Sequence, residues 1–344
     1  MRSVLILLCI ALQLAVLGYM IYGRESVVSG GQRIYMATAP IDPRDPFRGD
    51  FVRLRYPVNN INSAPVQWSE PDKVIKKGDV IYALLEKKPS GLYEAVLFTD
   101  TRPKSGLFIR GRSSLRPFAT GGNWLSGVRF GIEQLFVEQG SGLAIEEKRG
   151  IRGGLQTAME VEIAVNSKGT AVLTDYRWSN LAIQIELTQN FRTRTAAQSD
   201  QTTTDLNHHI TLSVQNVSED TVTLNNPGDN CGFRLEPADR ESRYSEASNS
   251  CADLKSVAPL TLEPGQMHNI EIDLTDPRWF MNYSAKNTVT TGDLRTFESN
   301  EMIRIVYRGA GSTLPPSSST DNENPKFWSG DLLSQGFNAR GRVD

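Results

Sequence analysis

The 344-residue sequence predicts an all-β, or at least β-dominated, protein carried by a single N-terminal membrane helix. Three observations predict it. One uninterrupted apolar run opens the chain; short alternating runs broken by Gly, Pro, Asn and Asp fill residues 33–192; and further strand-like runs at turn-separated intervals follow residue 208. A chain this long, with 39% hydrophobic residues, holds enough apolar surface for two packed cores. The predicted organisation is therefore an anchor (1–24), an N-terminal β domain (25–195), a linker (196–207) and a C-terminal immunoglobulin-like β-sandwich (208–344).

The anchor is the clearest element. Residues 4–22 (VLILLCIALQLAVLGYMIY) hold one strongly polar side chain, Gln13, and no charge. As a helix the run spans roughly 28 Å, close to the hydrocarbon thickness of a bilayer. Tyr19 and Tyr22 lie where interfacial aromatics belong, and Arg2 with the amino terminus favours a cytoplasmic N-terminus, against which Arg24 counts on the other flank. A cleaved signal peptide is the rival reading, but no small-x-small site closes the run. Cys9 lies inside the run after Leu8, a poor setting for lipid attachment.

In the first domain, residues 51–58 (FVRLRYPV) alternate, with Val52, Leu54 and Tyr56 on one face and Arg53 and Arg55 on the other. Residues 80–86 and 92–98 read as a hairpin around Pro89 and Gly91; residues 158–165 and 170–175 read as a second around Asn166, Ser167, Lys168 and Gly169. The spacing in 132–138 (IEQLFVE) fits a short helix or a strand equally well. Residues 193–207 contain almost no large apolar side chain and read as the linker. Beyond them, 209–217, 222–224, 260–262, 269–274 and 302–307 are strand-like, with turns at Asn226-Pro227-Gly228 and Glu263-Pro264-Gly265, the cadence of an immunoglobulin-like sandwich. Residues 309–325 read as a loop, and Leu332-Leu333 as a final strand.

Cys231 and Cys251 share one polar stretch and match no CxxC motif. In an oxidising compartment they would form a disulfide, and the chain-entropy model credits closing such a loop with about 3 kcal/mol. Two separate thiols are the alternative.

The most specific segment is 40–56, PIDPRDPFRGDFVRLRY, which sets three acids, prolines and a Gly-Asp pair before an alternating strand. It resembles a bacterial family of membrane-anchored proteins named for the motif Gly-Asp-Tyr-x-x-Leu-x-Tyr: Gly49, Asp50, Leu54 and Tyr56 stand in register, while Phe51 replaces the family's first Tyr. Residues 128–142 (VRFGIEQLFVEQGSG) are a second similar stretch, and the resemblance covers about half the chain. It implies an anchored envelope protein working beside a polytopic membrane protein, and it carries no established activity. A local echo, Lys76-Lys77-Gly78-Asp79-Val80-Ile81 against Phe47-Arg48-Gly49-Asp50-Phe51-Val52, follows from turn chemistry: Gly tolerates positive φ, and Asp accepts hydrogen bonds from nearby backbone N–H groups.

A net charge of −2, a pI near 6.0 and the absence of basic blocks exclude the electrostatic footprint of a nucleic-acid binder. Asp42, Asp45 and Asp50 could offer oxygen ligands to a hard cation, but interleaved Arg44 and Arg48 oppose it, and turn-shaping with local ion pairing is preferred. His208 and His209 open a strand on opposite faces and cannot readily share one metal. Neither an HExxH nor a GxSxG pattern occurs. The stretch from Arg48 to Pro57 is similar to one in bacterial signal peptidases, but their Ser-Met-x-Pro segment is missing and no Ser-Lys dyad is evident. The preferred function is therefore extracytoplasmic binding or scaffolding, without cofactor or metal, through Asp42, Arg44, Asp45, Arg48, Gly49 and Asp50. The alternative is an envelope hydrolase or a pseudo-enzyme derived from one.

Overall fold

The computed structural model describes residues 2–41, 51–70, 73–117, 123–138, 141–150, 154–188, 209–228, 230–238, 242–247, 258–285, 288–297, 299–309 and 327–343. It is mostly β, as the sequence predicts. The contacts divide it into two units: Met1–Glu86, Leu92–Val137 and Glu160–Arg177 form the first, and Lys87–Gly91, Glu138–Met159 and Trp178–Asp344 the second. The linker predicted at 196–207 lies outside the described residues.

The first unit begins with helix α1 (Arg2–Gly30), the described helix long and apolar enough to cross a bilayer. The helix outlasts the apolar run by two turns. Val27, in the last of these, is 3% exposed and packs with Ala164 and Val172. Only Gly31 separates α1 from β1 (Gln32–Ile41). Its N–H donates to Val27 O at 2.9 Å, and a Cβ at this position would stand 2.4 Å from Val27 O and 3.0 Å from Val165 N, so the close approach requires glycine.

β2 (Phe51–Arg55), β3 (Val66–Gln67), β4 (Val80–Lys87), β5 (Tyr93–Thr99), β6 (Leu107–Pro117), β7 (Asn123–Arg129), β8 (Gln134–Phe136), β9 (Gln156–Val165) and β10 (Ala171–Leu187) follow. Strands lie in the orders β10-β9-β1-β2-β8 and β3-β5-β4-β6-β7. Alternation decides which faces are buried. Ile34 and Met36 of β1, Val52 and Leu54 of β2, Ile81, Ala83 and Leu85 of β4, and Val161 and Ile163 of β9 are all buried, while the residues between Val52 and Leu54 and after it, Arg53 and Arg55, are exposed. β2 stops at Arg55, short of the predicted 58, because Pro57 has no N–H to give the ladder and opens a 3₁₀ turn. The ambiguous stretch at 132–138 holds the short strand β8, Gln134–Phe136, and no helix. Both predicted hairpins are present; in the second, Asn166 Oδ1 accepts the N–H groups of Lys168 (3.0 Å) and Thr170 (2.9 Å), an Asx-type turn.

The second unit contains α2 (Ser141–Arg149), the end of β10, and β11 (His209–Asn216), β12 (Val222–Asn225), β13 (Phe233–Pro237), β14 (Tyr244–Glu246), β15 (Pro259–Leu262), β16 (Met267–Asp273), β17 (Met281–Ala285), β18 (Thr288–Gly292), β19 (Ile303–Arg308) and β20 (Asp331–Leu333). β16-β11-β10, β12-β15, β13-β19-β20 and β14-β17-β18 are its strand orders. One cluster joins them. Ile210, Leu212 and Val214 of β11, Leu224 of β12, Ile270 and Ile272 of β16, and Ile303 and Ile305 of β19 meet in it at 2% exposure or less, an arrangement consistent with a β-sandwich. The final strand expected at Leu332-Leu333 pairs with β19.

Candidate functional site

The two motif stretches meet. β2, which carries Leu54 and Tyr56, pairs antiparallel with β8 from the second stretch in the register Phe51 opposite Phe136, Val52 opposite Leu135 and Arg53 opposite Gln134. Leu54 and Tyr56 are each 1% exposed, so they are core residues. The Tyr56 hydroxyl donates to Ile132 O at 2.9 Å, and Leu54 N–H donates to Glu133 O at 2.9 Å. Burial, reinforced by the charge of Glu133, raises the Tyr56 hydroxyl far above its ordinary value and keeps it a donor.

Glu133 ties the corner behind this pair. Its Oε1 accepts Phe130 N–H (2.6 Å) and Asn59 Nδ2 (3.0 Å), and its Oε2 accepts Gly131 N–H (2.9 Å). Asn59 also donates to Val128 O and accepts the Tyr56 N–H at 2.8 Å. Within 128–142, Glu133 and Ile132 thus hold the motif strand by its backbone and by its tyrosine.

Asp42, Arg44, Asp45, Arg48, Gly49 and Asp50 lie outside the described residues. Their flanks do not: Ile41 is opposite Arg53 in the β1–β2 ladder, and Phe51 is opposite Phe136. The echo at Gly78-Asp79 is described. There Gly78 has φ +90°, and the Asp79 carboxylate accepts Lys76 N–H at 2.8 Å, closing the turn as the sequence implies.

Because residues facing each other across a ladder share a face, register assigns Arg33, Tyr35, Arg53, Arg55 and Phe136 to one side of the sheet, opposite the buried Ile34, Met36 and Leu54. Glu162 of β9 meets Arg33 on this side at 3.1 Å and accepts the Thr174 hydroxyl at 2.7 Å. Glu160 meets Arg177 at 2.6 Å, and the Arg177 guanidinium stands 4.0 Å from the Tyr35 ring centroid. Burial and the Glu162 carboxylate raise the Tyr35 hydroxyl above its ordinary value. Both glutamates are 8% exposed, whereas Phe136 is 72% exposed and the Arg33 and Arg177 side chains are more than half exposed. Sequence reading missed this face, since its members come from five strands. The alternation of Glu160 and Glu162 with Val161 and Ile163 was the available signal.

A Ser-Lys pair, expected for the hydrolase alternative, does occur elsewhere in this unit. Ser69 Oγ donates to Asp100 Oδ2 at 2.7 Å, and Lys73 Nζ lies 3.5 Å from Ser69 Oγ and forms an ion pair with Asp100. Its electrostatics are wrong for catalysis. A Ser-Lys base must be neutral, which requires a lowered amine pKa, but the hydrogen bond to Asp100 raises that of Lys73. Asp100 answers in kind: burial pushes its carboxyl up, but donors from Lys73 and Ser69 outweigh burial and hold it well below the usual carboxylate range. The cluster staples the chain before residue 70 to the end of β5.

Cys231 lies in the turn before β13, half-buried, with its N–H donating to Pro227 O at 3.0 Å. Cys251, its expected partner, lies outside the described residues. His209 stands opposite Asp273 in the β11–β16 ladder, and His208 lies outside the described residues. Among the described residues, no group of three or more His, Cys, Asp or Glu side chains could hold a metal ion.

Residues 13–175 match the model of a family described as GDYXXLXY protein. No curated protein and no solved structure matches the chain.

Proposed function

From the match of residues 13–175 to the GDYXXLXY family model, we propose that the chain is a retained, single-pass membrane protein whose two units lie outside the cytoplasm and bind or scaffold another envelope protein. The observation that carries the binding reading is the open face of the first unit's sheet. It presents arginines and aromatic rings together, the side chains enriched in protein interfaces, and its Glu160 and Glu162 hold two of those arginines in place. Ala164, on the same face as Glu160 and Glu162, is covered by Val27 of the anchor helix. A partner engaging this face therefore meets it beside the membrane, which favours a membrane protein.

The same contact supports retention of the anchor. Signal cleavage needs an accessible extended segment after the apolar run, but here α1 stays helical through residues 23–30, and its last turn packs Val27 against Ala164 and Val172. Arg2 and the amino terminus on the cytoplasmic side complete the topology. Division at residues 196–207, an immunoglobulin-like second domain and a Cys231–Cys251 bridge belong to the same reading. The buried cluster shared by the strands after residue 208 supports the sandwich, and the free thiol among the described residues is Cys9, which leaves Cys231 for the bridge.

Photo-cross-linkers placed at Arg53, Arg55 and Gln134 of the full chain in native membranes test the reading. Adducts with one membrane protein are expected, and Arg53→Glu with Arg55→Glu should lower recovery of that partner at least tenfold without changing the unfolding temperature. Absence of any adduct from all three positions overturns the assignment of this face.

A further inference from the structure

We propose that the anchor pairs in the membrane with a second copy of this chain through a seam centred on Gln13. The inference rests on the retained-anchor reading and goes beyond it. Gln13 is the one strongly polar side chain in the apolar run, and it occupies the run's midpoint, with nine residues on either side in 4–22. At the helical rise it sits about 14 Å from each end, deep in a hydrocarbon layer about 30 Å thick. Snorkelling serves long side chains near helix ends; a glutamine at mid-depth has no route to water. Its amide carries two N–H donors and an acceptor oxygen, and lipid tails satisfy none of them.

The surrounding residues form a seam. Ile6, Cys9, Gln13, Val16 and Met20 follow one another at alternating steps of three and four, the spacing that keeps one stripe of a helix against a left-handed partner. The stripe is open: Ile6 is 60%, Val16 51% and Met20 65% exposed, and Cys9 is an exposed free thiol. A polar residue at one such position fixes register and partner number in coiled coils, and in membranes Asn and Gln side chains hydrogen-bond across paired helices.

A second copy is the occupant that the chemistry favours. All copies insert with one topology, so two anchors pair in parallel and bring their Gln13 side chains to the same depth without further coincidence. An amide is also its own complement, because each can donate an N–H to the other's carbonyl oxygen. A helix of another protein would need a polar side chain of its own at that depth.

Cys9, four residues from Gln13 on the same stripe, is a built-in reporter. The full chain in native membranes would be oxidised with copper phenanthroline, resolved without reductant, and its distribution between membrane pellet and supernatant measured in the same sample. A species of twice the chain mass is expected in the pellet. It should vanish in Cys9→Ser, fall at least tenfold in Gln13→Leu, persist in Gln13→Asn, and fail to form when the thiol is moved to the opposite side in Cys9→Ser/Ala15→Cys. Pelleted protein that stays monomeric, that joins a partner of different mass, or that dimerises equally in Gln13→Leu overturns the pairing while leaving the anchor intact. A shortened chain in the supernatant overturns the anchor and the pairing together.

Discussion

Replacing Tyr56 by Phe tests whether the motif tyrosine is a beam of the fold or a working group. The side chain is 1% exposed, and its hydroxyl makes a 2.9 Å bond to the carbonyl of Ile132, itself 0% exposed. Phe keeps the ring and removes the donor, leaving that carbonyl buried without this partner. The cost is about 1–2 kcal/mol, which for a domain of about 150 residues lowers the midpoint by about 2–8 °C. Leu54→Ala, which opens a cavity, should cost about 2–5 kcal/mol. Thermal unfolding of the detergent-solubilised full chain, followed by circular dichroism, measures both. A Tyr56→Phe protein as stable as the parent would refute the structural assignment, most sharply if partner recovery were lost at the same time.

Three further outcomes follow from named contacts. Gly78→Ala should destabilise the first unit by roughly 1 kcal/mol, since φ +90° is strained for an L side chain even though open space surrounds the position, and unchanged urea unfolding would contradict this. The Asp100 carboxyl is held below its unfolded value, so its contribution is present above about pH 4 and is lost as pH falls through the acid range; Asp100→Asn should flatten the acid limb of a stability profile, and a limb as steep as the parent's would remove Asp100 from the account. Peptide mapping of the non-reduced protein should recover a Cys231–Cys251 linked pair, whereas free alkylation of both thiols without reductant would dismiss the bridge.

What was legible in the sequence was whatever repeats at short range. Period-two alternation marked β2, β4, β11 and β16, because one buried face selects Val, Leu and Ile at every second position. The Gly78-Asp79 turn was legible because its chemistry is local. Short strands such as β14 and β18 were not, since Thr288–Gly292 has four exposed residues in succession and therefore no alternation to read. The helical turns from Gly23 to Gly30 were missed because their signal is packing of one residue, Val27, against residues more than 130 positions away. The same holds for the site. Leu54 and Tyr56 were visible as motif positions, but their role as core residues depends on Ile132 and Glu133, and the arginine-aromatic face depends on register among five strands.

The anchored, outward-facing topology is the claim on which the rest depends, and alkaline phosphatase fused after Asp344 tests it most directly when activity, fraction and mass are read together. The account predicts an active fusion of full mass in the membrane pellet. An inactive fusion would mean that the chain faces the cytoplasm, and an active but shortened one in the soluble fraction would mean that α1 is removed.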